Sequence, residues 1–213
     1  MSESKLLKKV NASWIGILGA LITLITLFTA VALYMIDYPQ FNIMENYISD
    51  LGDGPNGSNV VFNTGTIISG VIFFVFFVLI YKYFIGALGS SLLLRFGFIS
   101  SIISAIGWIM VGIFTDKQAP DMHLVAAALY FFGALLFGLI YGLITYRKKI
   151  ISKSHAYLGF FVAIFFTLFL TFFIFKLFNR GLLEEIAIFF EWFAYFSWIL
   201  WILDHSILVL KSN

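Results

Sequence analysis

The sequence predicts an all-α polytopic membrane protein: a six-transmembrane-helix bundle with a short outer amphipathic helix. Three observations predict it. Charged residues are 11% of the chain and apolar ones 62%, against about 25% and 45–50% in ordinary globular domains. Six apolar stretches each come near the ~20 residues that cross a bilayer as a helix. Runs such as FFVAIFFTLFLTFFIF lack the alternation of apolar and polar residues that a membrane β-barrel needs.

The expected spans are 14–34, 59–83, 96–114, 123–146, 155–178 and 185–208. They leave little chain for a soluble domain, so residues 1–213 are expected to form a single integral membrane domain. Lys5, Lys8 and Lys9 precede the first span as in a signal peptide. The run from Trp14 to Tyr34 is longer than a signal peptide's apolar core and lacks a small-residue cleavage site, so it reads as an uncleaved span. The absence of cysteine excludes a disulfide framework, a thiolate nucleophile and Cys-ligated metals.

Orientation follows from the basic residues. With the N-terminus inside, Lys5, Lys8, Lys9, Lys82, Arg95, Arg147, Lys148, Lys149, Lys153 and Lys211 fall on the inner side, and only Lys117, Lys176 and Arg180 outside. Ten against three predicts a multi-pass protein of the cell membrane with both termini cytoplasmic. The basic residues are thereby explained as topology signals. No nucleic-acid partner is expected from a formal charge of +2.

Between the first two spans lies the longest polar interruption, Asn42–Gly65. Asn42 followed by Glu45 fits a capping box. Met44, Tyr47, Ile48 and Leu51 then share one helical face, with Gly52 as a C-cap. A short helix is therefore expected on the outer mouth, apolar face down. Asn59 is expected to cap the second span, with Asn63 one turn inside it.

The acids gather on the same side: Asp37, Glu45, Asp50, Asp53, Asp116, Asp121, Glu184 and Glu185 all fall at outer positions. One account is a solvated surface that caps helix ends and pairs with Lys117, Lys176 or Arg180. The other is a functional site, since carboxylates at a membrane boundary are costly to dehydrate. Glu191, six residues beyond Glu185, is the deepest. The candidate ligand-binding residues are Ser49, Asp50, Asn63, Asp116, His123, Glu185 and Glu191. No cofactor is required, although a divalent cation would suit Asp50, Asp116, His123 and Glu191. His123 falls at the outer end and His155 and His205 at the inner, so the three cannot share a zinc ion. No nucleophile-elbow motif surrounds Ser49, and no catalytic residue is identified.

Small residues mark packing faces: Ala134, Gly138 and Gly142 in the fourth span, and Gly97, Ser100, Ser104 and Gly107 in the third. The Phe-rich fifth span reads as lipid-facing or bundle filler.

Asn46-Tyr47-Ile48-Ser49-Asp50-Leu51-Gly52, Phe62-Asn63-Thr64-Gly65 and Gly112-Ile113-Phe114-Thr115-Asp116 with His123 resemble the motifs of the domain-of-unknown-function 998 family of six-helix membrane proteins. The small residues of span four and the outer acids of span six extend the resemblance over nearly the whole chain. That family usually has a Pro between the Phe and the acid, where Thr115 stands here. A more distant similarity, through the Ile-Ser-Asp loop, is to DRAM-like lipid-remodelling membrane proteins, and implies a lipid-related role.

The expected function is an acidic, His-containing outer pocket, lidded by the first loop, that binds a polar or lipid-like ligand. Membrane lipid is the expected partner, and the oligomeric state stays open. The alternatives are an enzyme acting on lipid headgroups or lipid-linked sugars, a membrane assembly or structural factor, and an ion-coupled transporter. The last lacks an internal repeat or matched broken helices.

Overall fold

The computed structural model describes residues 3–148, 151–176, 178 and 182–211, with side chains for all of these except 3–11 and 182. Six helices follow one another: α1 (Glu3–Tyr34), α2 (Ser58–Leu88), α3 (Leu92–Ile113), α4 (Pro120–Arg147), α5 (Lys153–Lys176) and α6 (Leu182–Lys211). All six are long and apolar enough to cross a membrane. Even α3, with 22 residues, extends about 33 Å at 1.5 Å per residue. Among the described residues there is no strand.

Helix ends follow local chemistry. Ser91 caps α3 by accepting the Leu94 N–H at 3.1 Å. Pro120 opens α4, where its missing N–H costs nothing. The second span does not start as expected. Gly57, not Asn59, is the N-cap, and its φ of +82° lies in the left-handed region that glycine tolerates.

Each helix packs on its neighbours in sequence, and α6 returns to α1 to close a ring. Aromatic side chains fill the interior: Trp198 meets Phe73 edge-on at 4.7 Å, and Trp201 meets Phe137 at 5.0 Å. Among bilayer helices there is no hydrophobic drive between apolar faces, so close backbone approach matters. The small-residue faces supply it. A Cβ on Gly133 would lie 2.6 Å from the Ser104 nitrogen, joining α4 to α3. One on Gly159 would lie 2.8 Å from the Gly138 carbonyl oxygen, joining α5 to α4. Ser104 also donates to the Tyr130 carbonyl at 3.1 Å.

The first outer loop differs from expectation. Residues 42–46 form turns, and the only helix in the loop is a 3-10 helix, Ile48–Asp53. The Asn42 side chain accepts from the Met44 N–H at 2.9 Å, and the Asn46 side chain takes the Asn42 N–H at 3.1 Å. These local bonds replace the helical ones. Gly54, not Gly52, is the C-cap. Ile48 and Leu51 are buried as expected, whereas Met44 is exposed. The side chains of Lys5, Lys8, Lys9, Lys149 and Arg180, part of the topology argument, lie outside the described residues.

Candidate functional site

A cavity of about 380 Å³ opens at the end of the bundle that carries this loop. Its polar end is built from five separate elements. The loop contributes Tyr47, Ile48, Ser49 and Asp50, and the α3–α4 connection contributes Asp116. His123 comes from the first turn of α4, Lys176 from the last turn of α5, and Glu191 from the interior of α6. Below them, Trp108, Tyr130, Phe131, Phe169 and Tyr195 form an aromatic wall.

Glu191 is 6% exposed, and its Oε2 accepts the Ile48 N–H at 2.8 Å across 143 residues of sequence. Next to it, the Trp192 indole donates to the Asn46 carbonyl at 2.9 Å. These two bonds latch the loop over α6. Inside the loop, Tyr47 N–H donates to Asp50 Oδ2 at 2.9 Å. Burial pushes the Asp50 carboxyl up from its ordinary value of 3.8, and the N–H of Tyr47 and the amide of Asn46 pull it back. Asp116 adds to the rise and Lys176 opposes it. Burial, with Glu191, Glu184 and Asp50 close by, also pushes the Tyr47 phenol up. The phenol stays neutral and accepts from Lys176 Nζ at 2.8 Å.

At the rim, His123 Nδ1 lies 2.7 Å from the Phe114 carbonyl oxygen. A carbonyl only accepts, so Nδ1 carries the proton and Nε2 is the acceptor of the neutral ring. The connection before His123 closes through Thr115, whose carbonyl accepts the Ala119 N–H at 2.9 Å.

Ser49, Asp50, Asp116, His123 and Glu191 thus line one cavity; Asn63 and Glu185 do not. Asn63 donates instead to the Gly52 carbonyl at 2.9 Å, tying the loop to α2. Glu185 is exposed in the first turn of α6. The surface account holds for other acids: Asp53 accepts the Lys117 N–H at 3.0 Å, and Glu184 pairs with Lys176 at 3.4 Å. Among the described residues no group of three or more His, Asp or Glu has the arrangement to hold a metal ion. The four cation candidates share a cavity without converging on one point.

Sequence reasoning read the fifth span as lipid-facing or bundle filler, yet Phe169, Leu170, Phe173 and Ile174 form a cavity wall. It placed Tyr47 on the loop's apolar face without counting it among the site residues, and it passed over Trp108, Tyr130 and Tyr195. The only available signal was the mixture of Tyr and Trp, with their polar handles, inside spans that are otherwise Phe and Leu. At the opposite end, His155 Nδ1 and Asp204 Oδ2 are 2.6 Å apart. His205, also toward that end, is fully buried and stacked on Trp201 at 3.8 Å.

A family model described as protein of unknown function (DUF998) matches residues 17–202. The chain belongs to this family. The match takes in every cavity residue of the DUF998 fold described above. No curated protein and no solved structure matches the chain. The resemblance motifs meet at Asn63. A Cβ on Gly52 would lie 2.7 Å from its Oδ1, and one on Gly112 would lie 2.7 Å from its carbonyl oxygen. The DUF998-like segments are therefore the parts that clamp the loop onto α2 and α2 onto α3.

Proposed function

We propose that the outer cavity is a binding site for a polar, lipid-like ligand, with residues 47–53 as its lid. The observation that carries this reading is a two-sided lining. Carboxylates, a lysine and a histidine stand at one end, and an aromatic wall stands at the other. A site with a few convergent polar groups on an apolar body suits an amphiphile. The burial of Glu191 supports it, because a carboxylate at that depth is costly and carries function by default. A divalent cation is left out of the reading, for want of three converging ligands.

We further infer that the protein resides in the cell membrane with both termini cytoplasmic, from the ten-to-three partition of Lys and Arg. The cavity then opens on the outer leaflet.

The test is the thermal midpoint of the purified protein in detergent, titrated with total membrane lipid extract. A ligand of the folded state raises the midpoint by mass action. Ala128→Trp fills the cavity from α4 without touching a charge. A rise in the wild type that disappears in Ala128→Trp supports the reading, and no rise, or an equal rise in both, overturns it.

A second reading, an enzyme acting on lipid headgroups, is favoured by one observation: the Phe114 carbonyl holds His123 in the tautomer whose Nε2 accepts a proton. Its mark is a lipid product, seen by mass spectrometry, that vanishes in His123→Ala while the fold persists.

A further inference from the structure

The cavity opens between two helices as well as at the mouth. Toward the inner half, α4 and α5 are in backbone contact at Gly138 and Gly159. Further out they line the cavity from both sides, through Leu124 to Phe132 on α4 and Phe169 to Lys176 on α5. Leu124, Phe132 and Ile174 line it while being 55%, 50% and 47% exposed. The window they frame runs roughly 12 Å along α4 at 1.5 Å per residue. It lies in the outer half of a span about 30 Å thick. Phe131 and Phe169, with ring centroids 4.1 Å apart, close its floor. An opening at this depth, rimmed by exposed apolar side chains, faces acyl chains.

The polar end has an unbalanced charge. Asp50 and Asp116 line it against one lysine, and that lysine is already held by the Tyr47 hydroxyl and Glu184. A further group is left unsatisfied: the Tyr130 hydroxyl is buried in the cavity wall with no hydrogen-bond partner. Tyr130 and Tyr195 both lie within electrostatic reach of Glu191. A buried hydroxyl without a partner is costly, and a polar ligand group would satisfy it. Asp50 and Asp116, with the free Tyr130 hydroxyl, form an acceptor set complementary to a donor cation.

Resting on the binding reading above, we propose that the ligand is a membrane lipid whose headgroup carries a primary ammonium, entering sideways through the α4–α5 window. The ammonium has three N–H donors and binds at the Asp50–Asp116 end of the cavity, where the two carboxyl groups lie close enough to act on one another. The acyl chains leave between Leu124, Phe132 and Ile174 into the outer leaflet. The rise of the Asp50 carboxyl supports this, because burial leaves it short of the positive charge that such a headgroup supplies. A quaternary ammonium fits less well, having charge but no N–H to donate.

The experiment compares phosphatidylethanolamine, phosphatidylcholine and phosphatidylglycerol of identical acyl chains, each titrated against the full-length protein in mild detergent by thermal shift. Phosphatidylethanolamine is expected to act at roughly tenfold lower concentration than either of the others, the worth of one charge-assisted hydrogen bond. That preference is expected to fall in Asp116→Asn, whose exposed position makes it the safest to fold, and in Asp50→Asn. Soluble phosphoethanolamine is expected to give no shift at the same concentrations. Equal action of phosphatidylglycerol or phosphatidylcholine, or a preference that survives both substitutions, overturns the ammonium assignment and leaves the binding reading standing. A shift with soluble phosphoethanolamine equal to that of the lipid overturns the bilayer route. No shift with any lipid overturns this inference together with the binding reading.

Discussion

Asp50 shows at the level of one residue how a cavity-lining carboxyl group sets itself against stability. In an unfolded chain its carboxyl ionises near 3.8, and in the fold burial holds the proton to higher pH. The contribution is therefore fully present below 3.8 and is lost as pH rises through the folded value. Asp50→Asn removes this dependence while its amide oxygen still accepts the Tyr47 N–H. At neutral pH the ligand-free variant is expected to melt above the wild type, with a gap that closes as the pH is lowered toward 3.8. A constant gap, or a variant that melts lower at every pH, would show that the carboxylate is held by bonds the amide cannot replace. The sequence marked Asp50 as costly through its place beside two spans. It could not separate Asp50 from Asp53, three residues on, which faces Lys117 at the surface. Only the fold decides which of two neighbouring acids turns inward.

Among elements, the lid and the helix contacts behave differently. The lid rests on a few bonds from distant parts of the chain, chief among them Glu191 to Ile48 and Trp192 to Asn46. Glu191→Ala leaves the Ile48 N–H buried without an acceptor, at about 1–3 kcal/mol. Hydrogen exchange over residues 47–53 is expected to accelerate in Glu191→Ala and to change far less in Glu191→Gln, which keeps an acceptor. Equal exchange in both would mean that the latch contributes little. The helix contacts have no such give. Gly133→Leu drives a side chain into the Ser104 backbone, and overpacking of this kind costs about 1–3 kcal/mol or more. The variant is expected to melt lower or to fail purification, whereas Leu at exposed Gly86, which a Cβ would not crowd, is expected to be tolerated. One side of each contact was legible, since Ser104 and Gly138 stand in small-residue faces at helical spacing, whereas their partners Gly133 and Gly159 stand outside those faces. The lid helix was misread: Asn42 offered a capping pattern, and its side chain closed a tighter turn with Met44 instead. The cavity wall of α5 was not legible at all. Phe169 lines the cavity and Phe175 is exposed, yet in a span apolar all round the two positions look the same.

For the whole molecule, six spans and their order could be read from hydropathy and length alone, since the bilayer sets the length of every helix. The closing of the ring was not readable, because the packing of α1 on α6 is a contact between the two ends of the chain. Sidedness rests on charge asymmetry, and it decides which leaflet the cavity and its window address. The absence of native cysteine makes it testable without background. Gln118 and Ser90 are exposed and sit just beyond opposite ends of α3. In intact cells a membrane-impermeant maleimide is expected to label Gln118→Cys and to leave Ser90→Cys unlabelled until the membrane is broken. The reverse pattern would turn the bundle over. The acidic cavity would then face the inner leaflet, and ten basic residues would stand outside against the rule that governs short loops. The proposed ammonium-lipid site would survive such an inversion, because its chemistry lies in Asp50 and Asp116 and not in the leaflet. What would change is the lipid supply, since the window between α4 and α5 draws only on the leaflet at its own depth.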